Sequence, residues 1–311
     1  MSWKNQTVVT EFILLGLSSE PRTRIILFFV FLLVYMVILI GNIFIITLIL
    51  SDVSLHTPMY FFLCNLSFVD LCYSSSTVPR MLKDLISGNK TISYAECAAQ
   101  MYISLSLGVN ECILLAIMAY DRYVAICYPL HYTTIMSKMV CITLFIITWM
   151  CGFLLSISHV SLTLSVDLCG NNEINHFLCE VPEILSLSCE NILFIEFIIF
   201  VAGVIILMTP VTFIVISYVQ IIVSILKIAS SAGQQKAFST CGSHMMVVTM
   251  FYGSAMAGYM KPRSSSLPGT DKLIAIFYFI VTPMLNPMIY TLRNNDVKSA
   301  FLKCRQIKCF C

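Results

Sequence analysis

Apolar residues in this chain are gathered into seven long runs instead of alternating with polar residues. A helix that spans a bilayer needs about 20 mostly apolar residues, and each run is close to that length. The predicted spans, called first to seventh in chain order, are 25–50, 59–82, 97–123, 141–164, 192–226, 237–260 and 273–291. The connections are short except for 165–191, so the pattern predicts an all-α membrane protein without a soluble domain.

Composition supports a membrane protein. Hydrophobic residues make up 59% of the chain and charged residues only 11%, whereas a soluble domain carries roughly 25% charged residues. The net charge of +2 gives no indication of a nucleic-acid partner. Residues 1–20 lack the basic start and apolar core of a cleaved signal peptide, so we expect the first span to be an uncleaved signal anchor.

Glycosylation sequons and cysteines indicate the orientation, because lysine and arginine are divided evenly between the two faces. The sequons at Asn5 and Asn89 lie on the same predicted face and must face the lumen to be used. That face also carries four cysteines, Cys97, Cys169, Cys179 and Cys189. It is therefore predicted to be outside, where disulfides form. Three more cysteines lie at the opposite end as free thiols or palmitoylation sites: Cys304, Cys309 and Cys311.

Six short motifs occur in order along the chain. They are LHTPMY at 55–60, LSFVDLC at 66–72, MAYDRYVAIC at 118–127, SY at 217–218, KAFSTCGSH at 236–244 and PMLNPMIY at 283–290. MAYDRYVAIC together with KAFSTC is very specific, and the motifs extend over essentially the whole chain. The sequence resembles the olfactory receptors of the rhodopsin-like class of G-protein-coupled receptors, in their tetrapod-type branch.

This resemblance implies a fold, a function and a location. It implies a seven-transmembrane helix bundle over residues 25–292, an extracellular segment over 1–24, and a short amphipathic eighth helix with a cytoplasmic tail over 293–311. It also implies a multi-pass plasma-membrane receptor with an extracellular N-terminus and a cytoplasmic C-terminus. Such a receptor binds a small-molecule odorant and activates a stimulatory G protein, which raises cyclic AMP.

One face of the third span runs through the predicted bundle. Its stripe contains Ser104, Gly108, Glu111, Leu115 and Arg122, and 18 residues at about 1.5 Å each extend roughly 27 Å. At its end Asp121 is placed to hold Arg122, and opening of the bundle would free this arginine. The resemblance implies that Arg122, with Tyr123 beside it, faces the G protein in the active state. The alternative is a pair that only marks the end of the helix.

Two carboxylates are predicted near the middle of the membrane, Asp70 and Glu111. A charged carboxylate there costs about 3 kcal/mol on insertion scales, so such residues usually carry function. Asn42 and Asn286 fall at a similar depth, and Ser67 lies near Asp70. These oxygen ligands suit a hard cation, and the resemblance implies sodium around Asp70. A shared proton without an ion is the alternative, and no other cofactor is expected.

The NPMIY segment is predicted to be a moving part. Pro287 removes a helical hydrogen bond and allows a kink, so Tyr290 is expected to swing towards Tyr218 and Arg122. After Arg293, the apolar and basic residues over 294–303 are typical of a short amphipathic helix on the inner leaflet.

The outer halves of four spans are predicted to line the ligand pocket. On the sixth span four residues share a face at helical spacing, and Tyr252 is the expected ligand-sensing switch. The predicted lining residues are Ser104, Leu105, Gly108, Val109, Ala202, Gly203, Ile206, Tyr252, Ala255, Met256, Tyr259, Ile276 and Phe279. This mostly apolar set predicts a small, neutral, hydrophobic ligand with one oxygen to hydrogen-bond.

The loop between the fourth and fifth spans is expected to cap this pocket. The resemblance implies two disulfides that hold the loop, Cys97–Cys179 and Cys169–Cys189. His176, Cys179 and Glu183 form an alternative metal site, which a disulfide at Cys179 would disable.

Other function classes receive less support from the sequence. A transporter would carry a charged pathway or broken helices at matched positions, and an enzyme would carry a catalytic motif; neither pattern occurs. A receptor for a chemosensory role outside the nose remains an alternative that sequence does not distinguish.

Overall fold

The long helices coincide with the predicted spans to within six residues at each end. The computed structural model describes residues 9–88, 90–168, 172–188, 191–227, 230–260, 269–292, 297 and 300. The helices are α1 Pro21–Ser51, α2 Pro58–Ile86, α3 Tyr94–Cys127, α4 Tyr132–Ile135, α5 Lys138–Leu164, α6 Val181–Leu185, α7 Leu193–Leu226, α8 Ser231–Tyr259, α9 Thr270–Ile276 and α10 Thr282–Leu292. A π-helical turn, Phe277–Val281, joins α9 to α10 into one segment.

Local sequence explains where several helices begin. Proline opens α1 and α2, where its missing N–H would have no helical partner. α3 begins three residues before the predicted span because Ser93 and Glu96 form a capping box: the Glu96 amide donates to Ser93 Oγ at 3.2 Å and the Ser93 amide to Glu96 Oε2 at 3.0 Å.

Five helical segments among the described residues are long and apolar enough to cross a membrane: Pro21–Ser51, Tyr94–Cys127, Lys138–Leu164, Leu193–Leu226 and Thr270–Thr291. The helices α2 and α8 are less apolar because α2 carries Asp70, Arg80 and Asp84, and α8 is rich in glycine and serine. Both nevertheless pack against the other long helices. The chain is therefore a largely helical, multi-pass membrane protein.

α3 is the central helix. In its apolar window 61% of residues are buried inside the protein, against 22% in α1 and α5 and 11% in α7. α3 packs against α2, α5 and α7. At the crossing with α5, a Cβ on Gly152 would lie 2.9 Å from the Ser106 carbonyl oxygen. A Cβ on Gly41 would lie 3.0 Å from Pro287 Cγ, so glycine permits close helix contact at both places.

One end of the bundle carries a small β-sheet, which the all-α prediction did not include. The central strand β1, Glu11–Leu14, pairs antiparallel with β2, Thr91–Ser93, and parallel with β3, Glu173–Ile174. Phe12 and Leu14 are completely buried in a second apolar core beneath the sheet. We call this end of the molecule the sheet end, and the opposite end the Arg122 end.

Several predictions concern residues beyond the described ranges. These are the sequons Asn5 and Asn89, the pair Cys169–Cys189, the thiols Cys304, Cys309 and Cys311, and most of 293–311. The two described residues of the predicted eighth helix, Val297 and Ala300, are buried against the main core.

Candidate functional site

Aromatic side chains from three long helical segments meet at the sheet end. Tyr73 of α2 stacks on Phe279 with ring centroids 4.5 Å apart, and Phe279 lies 4.8 Å from Tyr278 in the π-helical turn. Tyr259 of α8 lies 6.1 Å from Tyr278. On α3, a Cβ at Gly108 would lie 3.5 Å from the Tyr73 hydroxyl. This aromatic cluster brings together three predicted pocket residues, Gly108, Tyr259 and Phe279.

A buried acid covers the aromatic cluster. Glu180 follows Cys179 in the loop before α6, is only 9% exposed, and accepts a hydrogen bond from the Tyr278 hydroxyl. The pKa of Glu180 is raised to about 7, chiefly by burial; the charges of Glu183 and Asp271 contribute to the rise, whereas the hydrogen bond from Tyr278 opposes it. The sequence did not predict a role for Glu180. The only sequence feature that could have indicated one is its position directly after Cys179, a predicted disulfide cysteine.

The predicted pocket residues differ in their surroundings. Those that are buried are Ser104, Val109, Tyr252, Ala255 and Phe279, and those that are half-buried are Leu105, Gly108, Ala202, Gly203, Ile206, Met256, Tyr259 and Ile276. Leu105 packs against the second core beneath the sheet. A Cβ on Gly203 would meet no atom of the described residues within 4 Å. This α7 position therefore borders open space, whereas Gly108, Tyr259 and Phe279 lie at the aromatic cluster.

Tyr252 connects α8 to α3 below that cluster. Its hydroxyl donates to the carbonyl oxygen of Cys112 at 2.8 Å, and the side chain is 3% exposed. Cys112 directly follows Glu111 on α3. Tyr252, the expected ligand-sensing switch, is therefore hydrogen-bonded to α3 next to the intramembrane acid Glu111.

The two intramembrane acids are completely buried. Both carboxylate oxygens of Asp70 accept from Asn286 Nδ2, at 3.2 and 3.0 Å. Glu111 interacts electrostatically with Asp70, and neither of its oxygens has a hydrogen-bond partner among the described residues. Ser67 is buried on the same helix as Asp70. Asn42 instead donates to the carbonyls of Ile38 and Pro283, so it connects α1 to α10.

This arrangement fits a hard cation. Carboxylate oxygens are preferred by such ions, and an unpaired buried carboxylate is costly without a counter-charge or a proton. No group of three or more His, Cys, Asp or Glu side chains among the described residues is arranged as a metal site. A cation here would therefore be held by Asp70 and Glu111 with amide and hydroxyl oxygens.

At the Arg122 end, the acid before the arginine is held by the short helix α4. Asp121 accepts from the Tyr132 hydroxyl at 2.8 Å and interacts electrostatically with Arg122. Both Asp121 and Arg122 are buried, at 2% and 5% exposure. Tyr123 contacts Tyr128 instead, with hydroxyl oxygens 3.4 Å apart.

A hydrogen-bonded chain joins three helices next to Arg122. The Tyr218 oxygen of α7 lies 2.8 Å from His244 Nδ1 of α8, and His244 Nε2 lies 3.2 Å from the Leu115 carbonyl of α3. Because a carbonyl only accepts, Nε2 carries the proton, and in the neutral ring Nδ1 accepts from Tyr218. Tyr290 is buried and interacts electrostatically with Arg122 and Tyr218. The sequence did not predict that His244 would hydrogen-bond Tyr218 and the Leu115 carbonyl.

The loop after α5 is held by the predicted disulfide between Cys97 and Cys179, which is confirmed. This bond removes the thiol that the alternative metal site with His176 and Glu183 required. His176 is 1% exposed and stacks on Phe177. Burial and the charge of Lys272 lower the pKa of His176 to about 4.

Comparison with known proteins identifies the family. A family model described as "Olfactory receptor" matches residues 31–307. The chain is 50% identical over 303 residues to "Olfactory receptor 5AR1" of Mus musculus, covering 97% of this chain and 98% of that protein. It is 51% identical over 299 residues to "Olfactory receptor 2D2" of Homo sapiens, covering 96% of each. It is also 48% identical to "Putative olfactory receptor 2B3" of Homo sapiens, over all of this chain and 99% of that protein. The chain belongs to the olfactory receptor family, whose members are G-protein-coupled receptors and not enzymes.

Proposed function

We propose that the chain is an odorant receptor with seven membrane spans, a short eighth helix, and its sheet end outside the plasma membrane. The confirmed Cys97–Cys179 bond supports this orientation, because it lies at the sheet end and disulfides form outside the cytosol. Thr91, the last residue of the second sequon, is the first residue of β2 at the same end. The Arg122 end then faces the cytoplasm, where a G protein is available.

The proposed ligand site is the aromatic cluster at the sheet end, with its covering loop. The observation that carries it is the meeting of Tyr73, Tyr278 and Phe279 beneath Glu180. Aromatic walls with few polar groups suit a small, mostly hydrophobic ligand that carries one hydrogen-bonding oxygen. Neutral ligands are favoured because most of the nearby side chains are uncharged and the carboxyl of Glu180 holds its proton up to about neutral pH.

The proposed output is activation of a stimulatory G protein, which raises cyclic AMP. Arg122 is buried beside the bonded chain that joins α3, α7 and α8. Movement of α8 would break this chain and expose Arg122 at the cytoplasmic face. The sequence between the ligand cluster and Arg122 is continuous along α3, so one helix connects both sites.

The test is a cyclic AMP assay in cells that express this chain with an olfactory-type G protein. A panel of neutral volatiles is applied, beside an Arg122→Ala variant and a Met139→Ala control; Met139 is 73% exposed on the outer face of α5. We expect a dose-dependent rise that is lost in the arginine variant and kept in the control. A response only to charged amines or acids would contradict the apolar-ligand proposal. An equal response in the arginine variant would contradict the coupling proposal.

We also propose that Asp70 and Glu111 share a sodium ion in the inactive receptor, and that activation disperses the cluster. The buried carboxylate of Glu111, with its two unpaired oxygens, supports a bound cation or proton. Basal cyclic AMP in permeabilised cells should fall as sodium replaces choline, and Asp70→Asn should remove that response. A basal activity that does not change with sodium in either wild type or Asp70→Asn would favour a shared proton.

A further inference from the structure

The buried tyrosines near the aromatic cluster differ in whether their hydroxyl groups have a hydrogen-bond acceptor. The Tyr278 hydroxyl donates to Glu180, and the Tyr252 hydroxyl donates to the Cys112 carbonyl oxygen at 2.8 Å. The Tyr73 hydroxyl forms no hydrogen bond within the described residues, although its side chain is only 4% exposed. A buried donor without an acceptor is costly, so an acceptor from outside the described chain would stabilise it.

Open space lies beside the Tyr73 hydroxyl. A Cβ on Gly108 would lie 3.5 Å from the hydroxyl oxygen and 3.9 Å from Cζ of the same ring, and it would meet no atom of any other described helix within 4 Å. Gly108 is half-buried, although α3 is the central helix. The hydroxyl oxygen of Tyr290 is fully enclosed by protein, whereas that of Tyr73 is not. The glycine therefore leaves room for a further atom next to this donor.

The ring of Tyr73 is held in place by its neighbours. It stacks on Phe279 with ring centroids 4.5 Å apart and an angle of 28° between the ring planes. Phe279 is 1% exposed and directly follows Tyr278, whose hydroxyl is bonded to the covering loop. A ring fixed in this way directs its hydroxyl to one place, so the donor is positioned before a ligand binds.

The nearby acids favour one kind of acceptor. Tyr73 interacts electrostatically with Glu180 in the covering loop and with Glu111 on α3. Negative charge on these groups would repel an ionised acid, and a protonated amine has no lone pair with which to accept. A carbonyl oxygen is uncharged, accepts a hydrogen bond, and brings no donor of its own into the apolar site.

We propose that the Tyr73 hydroxyl donates to the carbonyl oxygen of a ketone odorant, in the space that Gly108 leaves open. This inference rests on the proposed function, and it names the ligand class and the residue that holds the oxygen. Tyr73 lies three residues after Asp70 on α2, so the contact is less than one helical turn from an intramembrane acid.

The test measures cyclic AMP dose responses to methyl butyl, methyl hexyl and methyl octyl ketone. Each ketone is compared with the alkene in which a methylene group replaces the carbonyl oxygen. Tyr73→Phe removes the hydroxyl and keeps the ring that stacks on Phe279. We expect the half-maximal concentration of the ketones to rise about ten-fold in this variant, which corresponds to about 1.4 kcal/mol and is close to the net value of one hydrogen bond. The alkenes lack the acceptor, so their responses should be the same in both proteins.

Two more variants separate the hydrogen bond from a change in folding. Tyr102→Phe is the matched control and should respond as wild type does, because Tyr102 stacks on Phe153 of α5, with centroids 6.3 Å apart, and not on the aromatic cluster. Gly108→Ala should also raise the half-maximal concentration of the ketones, since its Cβ makes an ordinary contact with the Tyr73 hydroxyl and fills the space beside it. Added to Tyr73→Phe it should have little further effect, because both changes remove the same contact.

Each outcome decides the inference. Equal ketone responses in wild type and Tyr73→Phe overturn it, and so does an equal loss for ketones and alkenes. A wild type that responds to other volatiles but to none of the ketones also overturns it and leaves the proposed function standing. Silence towards every volatile, with the receptor present at the cell surface, contradicts the proposed function itself. If Tyr73→Phe does not reach the surface, Gly108→Ala decides: a loss confined to the ketones supports the inference, and an unchanged ketone response overturns it.

Discussion

Replacing Glu180 by glutamine should change how receptor stability depends on pH. In the folded protein the pKa of Glu180 is raised to about 7, from an ordinary value of 4.5, chiefly by burial. The folded state thus holds the proton over a range in which the unfolded state has released it. Its contribution to stability is complete below about pH 4.5 and is lost as the pH rises to about 7. Glutamine is neutral throughout, and its side-chain oxygen accepts from Tyr278 as the acid does.

The magnitude follows from the two pKa values. Their difference corresponds to about 3 kcal/mol, at about 1.4 kcal/mol per pH unit. Glu180→Gln should therefore match wild type near pH 4.5 and unfold with a higher free energy at pH 8, by up to about 3 kcal/mol. At about 2 °C per kcal/mol this is a difference in thermal midpoint of about 6 °C.

The assay compares the midpoints of both proteins in detergent between pH 4.5 and 8. The comparison is needed because His176 acts in the opposite sense. Its pKa is lowered to about 4, so it costs stability as the pH falls below about 6.5. That cost is present in both proteins and cancels in the difference. A difference that stays constant with pH would refute the reasoning, because it would mean that Glu180 titrates alike when folded and unfolded.

Two further substitutions test the helix contacts. Gly152→Ala should destabilise the receptor by about 1–3 kcal/mol, because the added Cβ would meet Asn110 across the α3–α5 crossing. Gly253→Ala is its control: a Cβ there meets no described atom within 4 Å, so this substitution should be neutral or stabilising. Equal thermal midpoints for the two variants would contradict the close contact between α3 and α5 at Gly152. Tyr218→Phe should cost about 1–3 kcal/mol because it leaves His244 Nδ1 buried without its donor, and an unchanged midpoint would show that this hydrogen bond is not formed.

The helices were predictable because hydrophobic length is a local property of the sequence. The deviations have local causes as well. The capping box at Ser93 extends α3 at its start. This Ser-x-x-Glu pattern can be recognised in the sequence, but it was not used to predict where the helix begins. The strand at Glu11–Leu14 was not predicted because four residues carry little periodic signal, and its partners β2 and β3 lie far away in sequence.

The members of the aromatic cluster were predictable where they lie on helices, and the contacts that depend on loops were not. Gly108 and Tyr259 were placed by helical spacing and Phe279 by its position in the outer half of the seventh span, and all three meet at the aromatic cluster. Glu180 reaches Tyr278 across 98 residues of sequence. No periodicity reports such a contact, because it depends on how the disulfide-held loop folds over the bundle. The orientation of a buried amide also depends on contacts between helices that sequence spacing does not report. Asn42 donates to carbonyls of α1 and α10 and not to the acids that it was predicted to accompany.

The aromatic cluster and the Arg122 end are joined through two bonds that α8 makes to α3. Tyr252 donates to the Cys112 carbonyl, and His244 donates to the Leu115 carbonyl, three residues further along α3. An outward movement of α8 breaks both bonds, each with a net value of about 1 kcal/mol. A ligand shifts the equilibrium only through its difference in affinity between the two states. In the proposed mechanism, an odorant at the aromatic cluster would therefore have to gain about 2 kcal/mol of additional binding energy in the open state before α8 releases Arg122, which a few additional apolar contacts are sufficient to provide.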